Sequence, residues 1–183
     1  MSSADCRVVV LISGGGSNLQ ALIDQANNYQ VSAVFSNKAE AFGLERAKNH
    51  NIPSHCLRLK DYPGRGAFDL ALADAIDAYE PDLVVLAGYM LILSSEFVTR
   101  YHQRLLNIHP SLLPKFKGLN TYQRALEAGE HWHGSSVHFV IPELDAGPIV
   151  MQAKTPIEAS DDVVSLSARV QALEHKLYPK VVG

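Results

Sequence analysis

Apolar residues in the first half of the chain fall into short runs separated by stretches of helical spacing. Residues 7–12 (Arg-Val-Val-Val-Leu-Ile) form a β-branched run that is too short for a helix, and a glycine-rich turn closes it. Leu19, Leu22, Ile23 and Ala26 then recur at helical intervals. Residues 31–36 predict a second strand, residues 41–49 a helix and residues 54–59 a short extended piece. Phe68, Leu72, Ile76 and Tyr79 share one helical face. Residues 82–87 (Asp-Leu-Val-Val-Leu-Ala) are almost wholly apolar, as a strand covered on both sides requires.

The second half alternates less regularly. Residues 94–101 predict a helix, 104–108 a strand, and 111–120, with Pro114 and Gly118, an irregular loop. A short helix over 121–128 is ended by Gly129. Strands over 135–140 and 149–153 flank a turn-rich stretch, and Val163, Leu166, Val170, Leu173 and Leu177 trace the buried stripe of a last helix. No repeat, low-complexity tract or linker interrupts the pattern. The reading is a single α/β domain over residues 1–183, with helices on both faces of a sheet that is parallel in its first half.

Composition narrows the function classes. Sixteen Lys and Arg against 19 Asp and Glu leave a net charge of −3, which disfavours binding nucleic acid or an anionic membrane through bulk charge. The apolar run at residues 7–12 is far shorter than the ~20 residues of a membrane span. Cys6 and Cys56 have no metal-type spacing, so reduced thiols in a cytoplasmic protein are expected.

The segment Ser13-Gly14-Gly15-Gly16-Ser17-Asn18 joins a strand to a helix, where free N–H groups and the helix dipole favour an anion. Ser17 with Gln20 matches a capping box that would start the helix here. A dinucleotide fingerprint would need glycine where Leu19 stands, and a P-loop would need a lysine that is absent. The loop therefore suits a single phosphate, or simply a tight turn.

A second polar constellation follows the strand at 104–108. Asn107 and His109 fall on one side of it by period-two alternation, at the end where open α/β sheets bind ligands. Pro110 biases His109 toward extended geometry. Asp145, beside Gly147-Pro148, is either a turn former or the carboxylate that holds the His109 ring in its imidazolium form. His131, His133 and His138 give only a weak metal signal, without further ligands at recognisable spacing. No nucleophile elbow is present.

Taken together, residues 9–21 (VVLISGGGSNLQA), 33–38, 41–47, 81–93 (PDLVVLAGYMLIL), 104–114 (RLLNIHPSLLP) and 134–152 (GSSVHFVIPELDAGPIVMQ) resemble the glycinamide ribonucleotide formyltransferase family, folate-dependent enzymes of purine synthesis. The resemblance implies a Rossmann-like fold, mostly parallel with mixed C-terminal strands. It implies 10-formyltetrahydrofolate as cosubstrate, glycinamide ribonucleotide as acceptor, no metal, and a monomer or homodimer. Asn107, His109 and Asp145 would be catalytic. Gly16, Ser17 and Asn18 would hold the substrate phosphate, with Gln171 and Glu174 on its ribose side. Arg65, Met90, Leu91, Ile92, Leu93, Asn107 and Ile141, Pro142, Glu143, Leu144 and Asp145 would line the folate site.

The chain departs from the family at three points. Leu91 stands where many members carry Arg, which bears on the grip on the folate's glutamate tail. The stretch 119–123 lacks the family's His and Arg, and most members extend further at the C-terminus. Rival readings are a formyltetrahydrofolate hydrolase or methionyl-tRNA formyltransferase, which usually carry an additional domain, and a non-catalytic phosphate-binding module.

Overall fold

The computed structural model describes residues 6–183. Seven strands form one sheet in the order β3-β2-β1-β4-β5-β6-β7. They are β1 (Cys6–Ile12), β2 (Tyr29–Ser36), β3 (Ser54–Cys56), β4 (Leu83–Leu86), β5 (Leu105–His109), β6 (Trp132–Phe139) and β7 (Ile149–Pro156). Strands β1 to β5 pair in parallel, while β6 runs antiparallel to β5 and β7 antiparallel to β6. The expected α/β architecture with a mixed C-terminal part is therefore observed.

The helices are α1 (Ser17–Asp24), α2 (Phe42–Asn49), α3 (Arg65–Asp77), α4 (Ser95–Arg100), α5 (Thr121–Glu127) and α6 (Val163–Val182). Strand alternation divides the core between the two faces. Val8, Val10 and Ile12 of β1 pack with Leu19 and Leu22 of α1 and with Leu177, Tyr178 and Val182 of α6. Val9 and Leu11 face the other way, onto Phe68, Leu72 and Ile76 of α3 and Phe97 and Val98 of α4. The Tyr178 hydroxyl crosses the first of these layers to donate to the Leu86 carbonyl at 2.8 Å. No helix among the described residues is long and apolar enough to cross a membrane.

Element boundaries differ locally from the hydropathy pattern. The extended piece expected over residues 54–59 is a three-residue strand followed by a 3-10 turn, Leu59–Asp61. Helix α6 runs to Val182, beyond the apolar stripe that revealed it. The capping box at Ser17 does not form. Gly16 is the N-cap, in the left-handed conformation at φ 71°, and Ser17 is already helical. Gln20, freed from capping, accepts from Arg46 Nη1 at 3.2 Å and donates to Asp24 at 2.8 Å.

Strand order reverses between β2-β1 and β1-β4, which opens a crevice at their carboxyl ends. The glycine turn after β1 and the segment after β4 meet there: Ser13 N–H donates to the Gly88 carbonyl at 3.1 Å, and Met90 N–H donates to Ser13 Oγ at 2.8 Å.

Candidate active site

The glycine turn is shaped by its carbonyls. The Gly14 carbonyl accepts Gly43 N–H at 3.0 Å, Gly15 accepts Arg46 Nε at 2.7 Å, and Gly16 accepts Gln20 N–H at 2.9 Å. With three successive carbonyls engaged, the amides of residues 14–18 have no acceptor among the described residues. A row of free N–H groups at a helix start is an anion cradle. Close packing holds it in place: a Cβ on Gly16 would lie 2.7 Å from Gly43 Cα, so position 16 needs glycine.

Asn18 and Glu174 come together at the rim of this turn. Glu174 is buried and accepts from Asn18 Nδ2 at 3.0 Å and from Ser135 Oγ at 2.8 Å. The Asn18 side-chain amide is thus taken by a carboxylate, which leaves the main-chain amides as the anion donors. The Asn18 Oδ1 atom is buried without a partner. Gln171 lies one turn earlier on α6, its side chain exposed and without a hydrogen bond among the described residues.

Four polar side chains converge where β5 meets β6. His109 is buried, its Nε2 contacts the Phe116 carbonyl at 2.9 Å, and its Nδ1 faces Asp145 Oδ2 at 3.5 Å. Oxygen atoms thus face both ring nitrogens, with the hydrogen bond made at Nε2. Asp145 is held at φ 48°, a conformation costly for a non-glycine residue, and its Oδ2 also accepts the Gly118 N–H at 2.9 Å. The left-handed turn at Asp145 thus aims this carboxylate at His109.

His138 is the member that the hydropathy and motif reading did not assign. It sits directly across the ladder from Asn107. Its Nδ1 contacts the Phe139 carbonyl at 2.9 Å, so that nitrogen carries the proton. Nε2 is then an acceptor for Asn107 Nδ2 at 3.3 Å. Burial pushes the His138 pKa below its ordinary value, which keeps the ring neutral and the acceptor available. Asp145 Oδ1 lies 3.8 Å from this neutral nitrogen and makes no hydrogen bond to it. One amide hydrogen of Asn107 is thereby committed and the other is left to donate elsewhere. Alternation within one strand does not set the register between two, so the sequence holds no direct signal for this pairing.

The remaining histidines have other surroundings. His133 is buried in edge-on contact with the Tyr122 and Phe116 rings, at centroid distances of 5.4 and 6.2 Å. No group of three or more His, Cys, Asp or Glu placed to hold a metal ion occurs among the described residues.

Residues expected to line a second ligand form two groups. Arg65, at the start of α3, is joined to the segment after β4 through Asp69, which bonds both Arg65 and Ser94. Met90 and Ile92 of that segment are exposed, whereas Leu91 and Leu93 pack against the core. Around Asp145, Ile141 is half-buried, Pro142, Glu143 and Leu144 are exposed, and Glu143 pairs with Lys117 at 3.3 Å.

A doubly wound sheet with an amide cradle at its switch point and an Asn–His–Asp cluster beside it has the makings of a group-transfer enzyme working on an anionic substrate. The formyl transferase family model matches residues 6–182, and the chain belongs to that family. It is 55% identical over 180 residues to the phosphoribosylglycinamide formyltransferase of Escherichia coli (strain K12), covering 96% of this chain and 85% of that protein. It is 46% identical over 177 residues to the trifunctional purine biosynthetic protein adenosine-3 of Homo sapiens, covering 94% of this chain and 18% of that one. Among solved structures, the phosphoribosylglycinamide formyltransferase of Coxiella burnetii superposes with a TM-score of 0.94 at 48% identity, over 98% of this chain and 86% of that one.

Proposed function

We propose that this chain, acting as a single formyltransferase domain, transfers the formyl group of 10-formyltetrahydrofolate to the amine of 5'-phosphoribosylglycinamide in purine synthesis. The observation that carries the reading is the meeting of Asn107, His109 and Asp145 at the end of β5, with His138 fixing the Asn107 amide. The substrate phosphate sits on the amides of residues 16–18, and Glu174 accepts from the ribose hydroxyls, with Gln171 alongside. The folate lies along Arg65, residues 90–93 and residues 141–145.

The amine lone pair attacks the formyl carbon, and the carbonyl oxygen becomes negative as the carbon turns tetrahedral. The free Asn107 N–H donates to that oxygen, together with the His109 Nε2–H, which exchanges the Phe116 carbonyl for it. Donors placed in this way are worth about 10²–10³ each in turnover. Asp145 orients the His109 ring and relays the proton lost by the amine to N10 of the folate, whereupon the C–N10 bond breaks. Tetrahydrofolate and the formylated amine leave. The amine is its own nucleophile, so no covalent enzyme intermediate is required.

Incubation with 10-formyltetrahydrofolate, with and without the ribonucleotide, tests the reading. Tetrahydrofolate released only in the presence of the ribonucleotide supports it. Release without the ribonucleotide would identify a hydrolase, and no release in either case a binding module.

A further inference from the structure

Asp69 is a buried carboxylate that the chemistry above does not use. It lies on α3 within the stripe that carries Phe68, Leu72 and Ile76 into the core, and only 3% of it is exposed. A charge withdrawn from water this far is tolerated only when its oxygens are bonded. Oδ1 accepts Arg65 Nε at 3.1 Å, and Oδ2 accepts the backbone N–H of Ser94 at 3.0 Å. Ser94 is itself the N-cap of α4, its hydroxyl accepting the Phe97 N–H at 3.2 Å.

Asp69 therefore ties down the far end of the segment that leaves β4. Ser13 holds the near end: its hydroxyl accepts the Met90 N–H at 2.8 Å while donating to Asn37 Oδ1 at 2.5 Å. Between these anchors Met90 and Ile92 are 60% and 70% exposed, large apolar side chains on a backbone fixed at both ends. Ordering a mobile loop at the moment of binding costs affinity, and a pinned one avoids that cost. The same carboxylate also orients Arg65, whose Nη2 is buried without a partner, as is the hydroxyl of Tyr89 nearby.

We propose that Asp69 and Ser13 are positioning residues for the formyl donor: they pin residues 89–93 and aim Arg65 so that the donor meets a preformed apolar shelf. The inference rests on the reading that Arg65 and this segment line the folate site. Neither residue touches the reacting atoms, so their loss is felt in donor binding and not in the chemical step.

Asp69→Asn keeps the shape but removes the charge and one acceptor. The KM for 10-formyltetrahydrofolate is expected to rise about ten-fold, the scale of a lost charged hydrogen bond. The kcat at saturating donor and the KM for the ribonucleotide stay within about two-fold. Amide exchange at Ser94, followed by NMR, accelerates. Ser13→Ala raises the same KM by a smaller factor and frees the Met90 amide instead. If Asp69→Asn does not fold, Ser13→Ala decides alone.

A merely structural role would lower the melting temperature without separating the donor KM from the other constants. Wild-type turnover that saturates in the folate, with an unchanged donor KM in the folded variants, overturns this proposal alone. A wild-type protein showing no saturable use of the folate overturns the folate reading and this proposal with it.

Discussion

The turn after β1 offers a ligand main-chain amides, whereas β5 and β6 offer side chains, and the two regions differ in what maintains them. In the first, geometry comes from glycine: the Gly16 φ of 71°, its contact with Gly43, and carbonyls drawn toward α2. In the second, geometry comes from strand register, which sets Asn107 opposite His138, and from a loop that returns Asp145 to His109. A backbone site is indifferent to most side-chain changes and intolerant of added bulk. A side-chain site is the reverse. Substitutions at the two therefore separate binding from turnover.

The largest effect is expected on β5. Asn107→Ala and His109→Ala should each lower turnover by about 10²–10³-fold, because each removes a donor to the developing oxyanion. Calorimetric affinity for the ribonucleotide should stay within about two-fold, since the amide cradle is untouched. His138→Phe should lose only about five-fold, the scale of the ~1 kcal/mol bond that orients Asn107. Near-normal turnover in His109→Ala would remove the basis for the mechanism. A His138→Phe loss as large as that of Asn107→Ala would mean that His138 contacts substrate itself.

The unequal legibility of these regions has a physical origin. The β1 and β4 runs are apolar because both faces of the strands are covered, so strand identity and sheet class could be read from a few consecutive residues. The glycine turn was equally plain, but its capping was not. Ser17 carries the right chemistry for an N-cap, yet the left-handed Gly16 enters the helix one residue earlier and leaves Gln20 to Arg46. Strand periodicity and turn composition mark Asn107, His109 and Asp145 as candidates, and the motif resemblance supplies their joint catalytic role. His138 was considered only as a metal ligand, since its role depends on a cross-strand pairing 31 residues distant. Asp69 is less legible because a lone acid on a helix reads as a solvated residue. Its position on the Phe68–Leu72–Ile76 stripe was the available sign.

A smaller effect should follow from crowding the cradle. In Gly16→Ala the added methyl meets the Gly43 backbone, and the left-handed conformation alone costs about 1–2 kcal/mol for an L-residue with a Cβ. Chemical denaturation should register at least that loss. The KM for the ribonucleotide should rise while kcat at saturation is largely kept, because the β5–β6 cluster is held by its own register. A fall in kcat with an unchanged ribonucleotide KM would place the phosphate elsewhere.

The smallest effect concerns acid stability and distinguishes the histidines of the side-chain region. Burial pushes His133 and His138 below the ordinary histidine value of 6.5. The unfolded chain then takes up protons near that value while the native state resists. The unfolded state binds more protons as pH falls, so the stability these rings contribute is complete above about pH 6.5 and is lost below it. His133 is the better probe. Its Nε2 is buried without a partner, and the Pro110 carbonyl on its other side accepts the Thr121 hydroxyl at 2.6 Å. His133→Phe therefore leaves no acceptor orphaned and should change stability near neutral pH by no more than about 1 kcal/mol. Urea midpoints measured from about pH 7.5 down to about pH 5 should then fall less steeply than in the wild type. An unchanged acid slope would show that His133 titrates in the folded protein as it does in the unfolded chain, and that the enclosing Tyr122 and Phe116 rings exert no desolvation on it.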